Sequence, residues 1–184
     1  MIHATDSKGT FYILNKKNRT PIIFIHGVGL DHSIWDLQIN EFDNTVLVYD
    51  ILGHGKTPLK KNDLSFDDFS NQILNLMDEL KFNKVHLVGF SIGSLIARNF
   101  ASRFNDRLAS LTLLCSIFNR SDKEQKIVND RFEQTKKDHK LTKDALKRWF
   151  TEDYLNKNPG ISDKIFNILQ NNNMNNFIKI YSLF

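Results

Sequence analysis

Apolar residues gather in short runs at intervals along the chain: Phe11 to Leu14, Ile22 to Ile25, Val46 to Tyr49, Val85 to Val88 and Leu111 to Leu114. Their lengths and their β-branched and aromatic content predict strands. The last four lack in/out alternation, as expected of parallel strands covered by helices on both faces. Phe11 to Leu14, following Lys8-Gly9, reads instead as part of an antiparallel edge hairpin. Between the third and fourth runs the period changes. Leu64, Phe66, Phe69, Ile73, Leu76, Met77 and Leu80 recur at helical spacing, and Ser65 stands three residues before Asp68 as an N-cap signal. A second helical pattern follows Ser91 through Leu95, Ile96, Asn99 and Phe100 before the chain returns to Leu111. Strand and helix in alternation predict an α/β domain built on a mostly parallel sheet flanked by helices.

After Cys115 the texture changes. Ser121 to Lys147 is charged and helical, and no strand-like run follows before Phe184. The expected organisation is a core over residues 1–118 and a helical cap over 119–184, with the core not resuming before the chain ends. Thr142 is positioned to cap a helix carrying Leu146, Trp149 and Phe150, and Asn158-Pro159-Gly160 is a turn signal. The last residues are apolar, with no polar exit from the fold, a pattern expected of a piece of a longer chain. No internal repeat is present, and Asn171-Asn172-Asn173 is too short for a low-complexity tract.

Composition narrows the partners. A chain of 184 residues that is 41% hydrophobic can bury a real core, so disorder is a poor expectation. The net charge of +4 is mild and its lysines are interspersed with acids, which gives nucleic-acid binding little support. One cysteine allows no internal disulfide, the N-terminus has no signal-peptide run, and no stretch approaches the roughly 18 apolar residues of a membrane helix. These features lead us to expect a cytoplasmic protein that meets neither nucleic acid nor membrane.

Six of the eight glycines fall in three clusters, each just beyond the C-terminal end of a predicted strand: His26-Gly27-Val28-Gly29, Gly53-His54-Gly55, and Gly89-Phe90-Ser91-Ile92-Gly93. In an open parallel sheet those strand ends together form the ligand crevice. The third cluster leaves an apolar strand and enters a helix, the setting of a nucleophile elbow. There a serine sits on a sharp turn, and flanking glycines let strand and helix approach. The helix N-terminus places N–H groups and a positive dipole end beside Ser91, which favours an oxyanion. A tetrahedral oxyanion needs two donors, and the backbone N–H groups of Ile92 and of Val28 are the candidates. Gly27, Gly89 and Gly93 support the two turns, and His26 is expected to organise its loop without serving as the base. The plainer alternatives are a serine that only caps a helix and a tight turn around a buried histidine.

Phosphate chemistry fits less well. Gly55-Lys56-Thr57 ends like a P-loop, but Asp50 occupies the position of the first P-loop glycine, and Pro58 opens no helix. Gly27-Val28-Gly29 does not extend to a dinucleotide fingerprint, because residue 32 is histidine. No cofactor and no metal are expected.

Taken together, the three clusters resemble the α/β-hydrolase superfamily, whose members carry a His-Gly oxyanion loop, an Asp-x-x-Gly-His-Gly turn and a Gly-x-Ser-x-Gly elbow in this order. The match runs from about Phe11 to Cys115. Ile34-Trp35, Leu113-Leu114-Cys115 and Arg148-Trp149-Phe150-Thr151 look like the 3-oxoadipate enol-lactonase and small carboxylesterase branch. Leu52 departs from the arginine that many relatives place in the Gly-His-Gly turn. The resemblance implies a serine hydrolase of carboxylic esters or lactones, working through an acyl-enzyme at Ser91, with the helical cap setting substrate choice. Dehalogenase relatives use aspartate at the elbow, so Ser91 argues against that branch.

The superfamily order is serine, then acid, then histidine, each partner after a later strand. Neither strand is expected here. The six histidines are His3, His26, His32, His54, His86 and His139, and none follows Leu114 at a strand end. His139 belongs to a charged surface helix, Asp144 and Asp153 to the cap, and Cys115 is expected in the pocket or core. The triad acid and base are therefore absent from this chain, which predicts weak or no activity alone and an N-terminal fragment of a longer enzyme. Leu111 to Leu114 would then form an exposed sheet edge open to self-association. Two other readings stay open: a cofactor-free haloperoxidase or acyltransferase relative, and a non-catalytic partner-binding remnant.

Overall fold

The computed structural model describes residues 1–184. Six strands form one sheet: β1 (Ile2–Thr5), β2 (Phe11–Asn15), β3 (Arg19–Ile25), β4 (Asn44–Tyr49), β5 (Val85–Phe90) and β6 (Leu108–Leu114). Their order is β1-β2-β4-β3-β5-β6. β1 and β2 are antiparallel to their neighbours, whereas β4, β3, β5 and β6 run parallel. Helices α1 (Phe66–Glu79) and α2 (Ile92–Arg103) provide the connections on either side of β5.

Alternate residues of each central strand enter different cores. Ile23, Ile25, Leu47 and Tyr49 pack with Phe69, Ile73, Leu76 and Met77 of α1 and with Ile92, Ile96, Ala97 and Phe100 of α2. The four α1 side chains are fully buried at helical spacing, and each contributes roughly 1.5–3 kcal/mol by leaving water. Asp68 closes the start of α1 by accepting the backbone N–H of Ser65 at 2.8 Å and its hydroxyl at 3.0 Å. On the other face, Ile22, Phe24, Val46 and Val48 pack with Trp35 and Ile39, from the segment that follows β3.

Phe11–Asn15 belongs to the expected antiparallel hairpin at the sheet edge, and its partner β1, a mixed sequence of only four residues, lies outside it. Two expectations change. Helices cover one face of the parallel sheet, while the other is covered by the Trp35–Ile39 segment, which does not reach β6. Leu111 and Leu113, in register with Leu87 and Gly89 on the helical face, and Leu114, in register with Phe90 on the other, are exposed on this outer strand. Cys115 is exposed as well, at φ +51 just past β6, and lines neither core nor pocket.

No strand follows Leu114. The remaining chain forms α3 (Asp122–Asp138), α4 (Asp144–Trp149), α5 (Glu152–Lys157), α6 (Pro159–Gln170) and α7 (Met174–Tyr181). The N-cap of α4 is Lys143, one residue beyond Thr142, whose carbonyl accepts the N–H of Ala145 at 3.2 Å. Pro159 opens α6 at its first position, where its missing N–H removes no helical bond, so the Asn158-Pro159-Gly160 signal is a helix start. The final apolar residues pack inward: Ile180 joins the main core, and Leu183 and Phe184 lie against it. No helix is long and apolar enough to cross a membrane.

Candidate active site

Ser91 lies between β5 and α2 with φ +56 and ψ −121, a conformation that costs a residue with a side chain about 1–3 kcal/mol. Its neighbours hold it there. The N–H of Ser91 donates to the Leu114 carbonyl at 3.0 Å, and its own carbonyl accepts the N–H of Ser94 at 2.8 Å. Close approach explains both flanking glycines. A Cβ on Gly89 would lie 2.2 Å from the Gly93 carbonyl oxygen, and one on Gly93 would lie 2.6 Å from the carbonyl oxygen of Ile25.

The loop after β3 meets this elbow directly. A Cβ on Gly27 would stand 3.3 Å from that of Ser91, so bare backbone faces the serine. Val28 follows, and its N–H donates to no protein acceptor. Ile92 is the first residue of α2, where an N–H has no partner within the helix. Ser91, Val28 and the start of α2 thus come together, as do the supporting Gly27, Gly89 and Gly93. The hydroxyl of Ser91 touches no histidine or carboxylate.

His26 is fully buried behind the loop. Its Nδ1 lies 2.8 Å from the Gly27 carbonyl oxygen, and its Nε2 accepts the N–H of Ile51 at 3.1 Å. Those partners require a neutral ring with the proton on Nδ1, and burial lowers its pKa in the same sense. His54 does parallel work from the second glycine cluster. Its Nε2 accepts the N–H of Gly29 at 2.8 Å while Nδ1 faces the Leu52 carbonyl at 3.3 Å. Burial, then the repulsion that two protonated rings would feel beside His26, pushes its pKa down to about 3. Two neutral histidines therefore bolt the β3 loop to the end of β4.

Asp50 anchors the same region. Its Oδ1 accepts the backbone N–H of His32 at 2.8 Å and Nδ1 of the same ring at 2.7 Å, and its Oδ2 accepts the Lys56 N–H at 2.8 Å. Burial works against its charge, but the His32 hydrogen bond and nearby donors outweigh it, so its pKa falls. His32 shifts upward because the same bond overcomes its own burial. Gly55 makes room: a Cβ there would sit 2.3 Å from the carboxylate. Asp31, His32 and Asp50 are close enough together to surround a cation. Both Asp50 oxygens already accept N–H groups, however, and Oδ1 of Asp31 accepts from Ser33, so protein donors satisfy the cluster.

A cavity of about 380 Å³ opens above Ser91, Val28 and Gly27. Its apolar lining includes Phe90, Leu141, Trp149 and Phe177, and the segment from α3 to α4 brings both cations, Arg131, Lys140 and Arg148, and carboxylates, Asp138 and Asp144, to its wall. Neither arginine has a carboxylate partner within the chain. His139, at the exposed C-cap of α3, does not line it. Sequence reasoning passed over His54 and Asp50 as site residues, although the glycines beside them at a strand end were their signal.

Comparison with known proteins identifies the fold. A family model described as alpha/beta hydrolase fold matches residues 20–164. The chain is 28% identical over 166 residues to an (E)-2-((N-methylformamido)methylene)succinate hydrolase of Acinetobacter baylyi, an alignment that covers 89% of this chain and 62% of that protein. It is 22% identical over 164 residues to 3-oxoadipate enol-lactonase 2 of the same organism, covering 88% and 61%. The chain thus spans about three-fifths of these relatives' length. The crystal structure of the enol-lactonase from Burkholderia xenovorans superposes with a TM-score of 0.83 at 24% identity, over 99% of this chain and 72% of that one, and shows the shared fold. The chain belongs to the α/β hydrolase fold family.

Proposed function

From that membership, we propose that this chain carries the nucleophile and oxyanion hole of a serine hydrolase acting on carboxylic esters or lactones. One observation carries the reading: Ser91 occupies a positive-φ elbow, faces the bare backbone of Gly27, and opens into the cavity. The Ser91 Oγ attacks the carbonyl carbon and the C=O electron pair moves onto oxygen. Val28 and Ile92 N–H groups hold that oxyanion, each worth about 10²–10³ in rate. Collapse of the intermediate breaks the bond to the leaving oxygen, which takes up a proton, and leaves an acyl-enzyme that water then opens.

The proton of Ser91 needs an acceptor that these residues do not supply. His26 and His54 spend both ring nitrogens on the backbone, and His32 spends Nδ1 on Asp50. On this reading the acid and base lie outside the 184 residues, and residues 119–184 act as the cap over a 1–118 core. Turnover by this chain alone is then about 10⁴–10⁶ below that of a complete triad. The unpaired Arg131 and Arg148 support a substrate bearing a carboxylate, as do the succinate and oxoadipate in the names of the relatives.

The test compares hydrolysis of short nitrophenyl esters and of carboxylate-bearing lactones by the chain and by Ser91→Ala. A slow rate that disappears in Ser91→Ala supports the proposal. Equal rates from both proteins, on every substrate, contradict it.

A further inference from the structure

The Asn171-Asn172-Asn173 run joins α6 to α7, and two of its members have ordinary duties. Asn171 is the C-cap of α6, and Oδ1 of Asn173 caps α7 by accepting the N–H of Asn176 at 3.1 Å. Asn172 does neither. Its Nδ2 lies 2.8 Å from the carbonyl oxygen of Gly29, 2.9 Å from that of Ile168 and 3.2 Å from that of Leu169. Three carbonyl acceptors around one terminal atom identify it as the amide nitrogen, with two N–H groups shared among them.

Gly29 is thereby held from two sides. His54, part of the sheet domain, accepts its N–H at 2.8 Å, and Asn172, part of the helical layer, donates to its carbonyl. Packing reinforces the grip. Gly29 has φ +77, and a Cβ on it would meet the Phe177 ring at 3.0 Å and Leu169 at 3.3 Å. Other polar ties join these helices to the sheet domain, such as Lys164 to Asp36 and Lys179 to Asn62. Those end on exposed side chains, whereas the Asn172 bond ends one residue from Val28.

We propose that Asn172 is a positioning residue coupling the seating of α6 and α7 to the oxyanion hole. With the helices seated, its bond to Gly29 restrains the loop so that the Val28 N–H stays aimed at the reacting oxygen. Displacement of the helices releases that restraint, so the donor is fully organised only beneath a closed cap. The proposal rests on the reading of Val28 as an oxyanion donor.

The experiment uses the whole 184-residue chain with Asn172→Asp, which keeps the shape and removes the donors, and Asn172→Leu as a second donor-free variant. Amide hydrogen exchange at Gly29 is read against exchange at Leu47 in the central strand, and Ser91-dependent hydrolysis of a nitrophenyl ester is resolved into kcat and KM. The coupling predicts at least fivefold faster exchange at Gly29 with Leu47 unchanged, about a tenfold fall in kcat with KM held, and recovery of kcat in Asn172→Gln. Unchanged Gly29 exchange in both donor-free variants overturns it, as does equal acceleration at Leu47, or a kcat that stays level while Gly29 loosens. Turnover that survives Ser91→Ala would instead overturn the hydrolase reading, while the Gly29 exchange still decides the coupling.

Discussion

Gly93 and His26 are in direct backbone contact across the site: a Cβ on Gly93 would lie 2.7 Å from the His26 carbonyl oxygen. The helix that starts behind Ser91 therefore rests on the strand that leads into the loop of Val28. Backbone on both sides cannot yield as a side-chain tip would. Gly93→Ala is expected to cost about 2 kcal/mol or more, in the upper range for overpacking, and to separate the serine from its proposed oxyanion donors. A urea-unfolding midpoint within error of the parent would contradict this.

Ser91 itself stores strain. Replacement by glycine removes the Cβ that makes φ +56 costly, so Ser91→Gly should raise stability by about 1 kcal/mol even as it removes the proposed nucleophile. Gain of stability with loss of chemistry is the signature of a strained functional residue. A lowered unfolding midpoint in Ser91→Gly would mean that the turn is not strained.

Acid should loosen the loop region. His26 and His54 have folded-state pKa values below their ordinary 6.5, so the unfolded chain binds protons first and stability falls as the pH drops below about 6.5. For His54 the loss continues to about pH 3. His32 has the opposite sign: its raised pKa adds stability below about 6.5 that is lost as pH rises through the folded value. Asp50, lowered, contributes above the ordinary carboxylate range and loses that contribution as pH falls through its folded value. Between pH 6 and 5, His32 is largely protonated in both states, so the two buried rings dominate. His54, neutral down to about pH 3, adds up to about 1.4 kcal/mol per pH unit there, and His26 adds in the same direction. Urea titrations at several pH values should show this slope, reduced by one proton in His54→Gln, and a flat profile would refute it.

The outer strand carries a separate expectation. β6 presents unpaired backbone along one side and exposed Leu111, Leu113 and Leu114. Concentration-dependent self-association should appear in sedimentation velocity, and Leu113→Lys should weaken it by placing charge on the edge. A chain that stays monomeric at high concentration would show that this edge is inert.

Local signals in the sequence were readable because their causes are local. The apolar runs from Ile22, Val46 and Val85 became strands, and the glycines around Ser91 became the elbow. β1 escaped notice because Ile2-His3-Ala4-Thr5 is short, mixed and exposed, and pairs only once β2 is in place. Cys115 looked apolar from its neighbours, but the outer face of β6 leaves it in solvent. The contacts that converge on Gly29 were beyond any local pattern: His54 arrives from 25 residues away and Asn172 from 143. Asparagines in a row suggest only polarity until tertiary structure gives each a different partner.

The most direct test of Ser91 as the nucleophile is peptide-level mass spectrometry after exposure to a fluorophosphonate, with and without added imidazole. The account predicts slow phosphonylation at Ser91 in the folded chain, acceleration by imidazole acting as the missing proton acceptor, and loss of the adduct when urea unfolds the oxyanion hole. No adduct at Ser91 under any condition, or labelling that is equal in the unfolded chain, would contradict it.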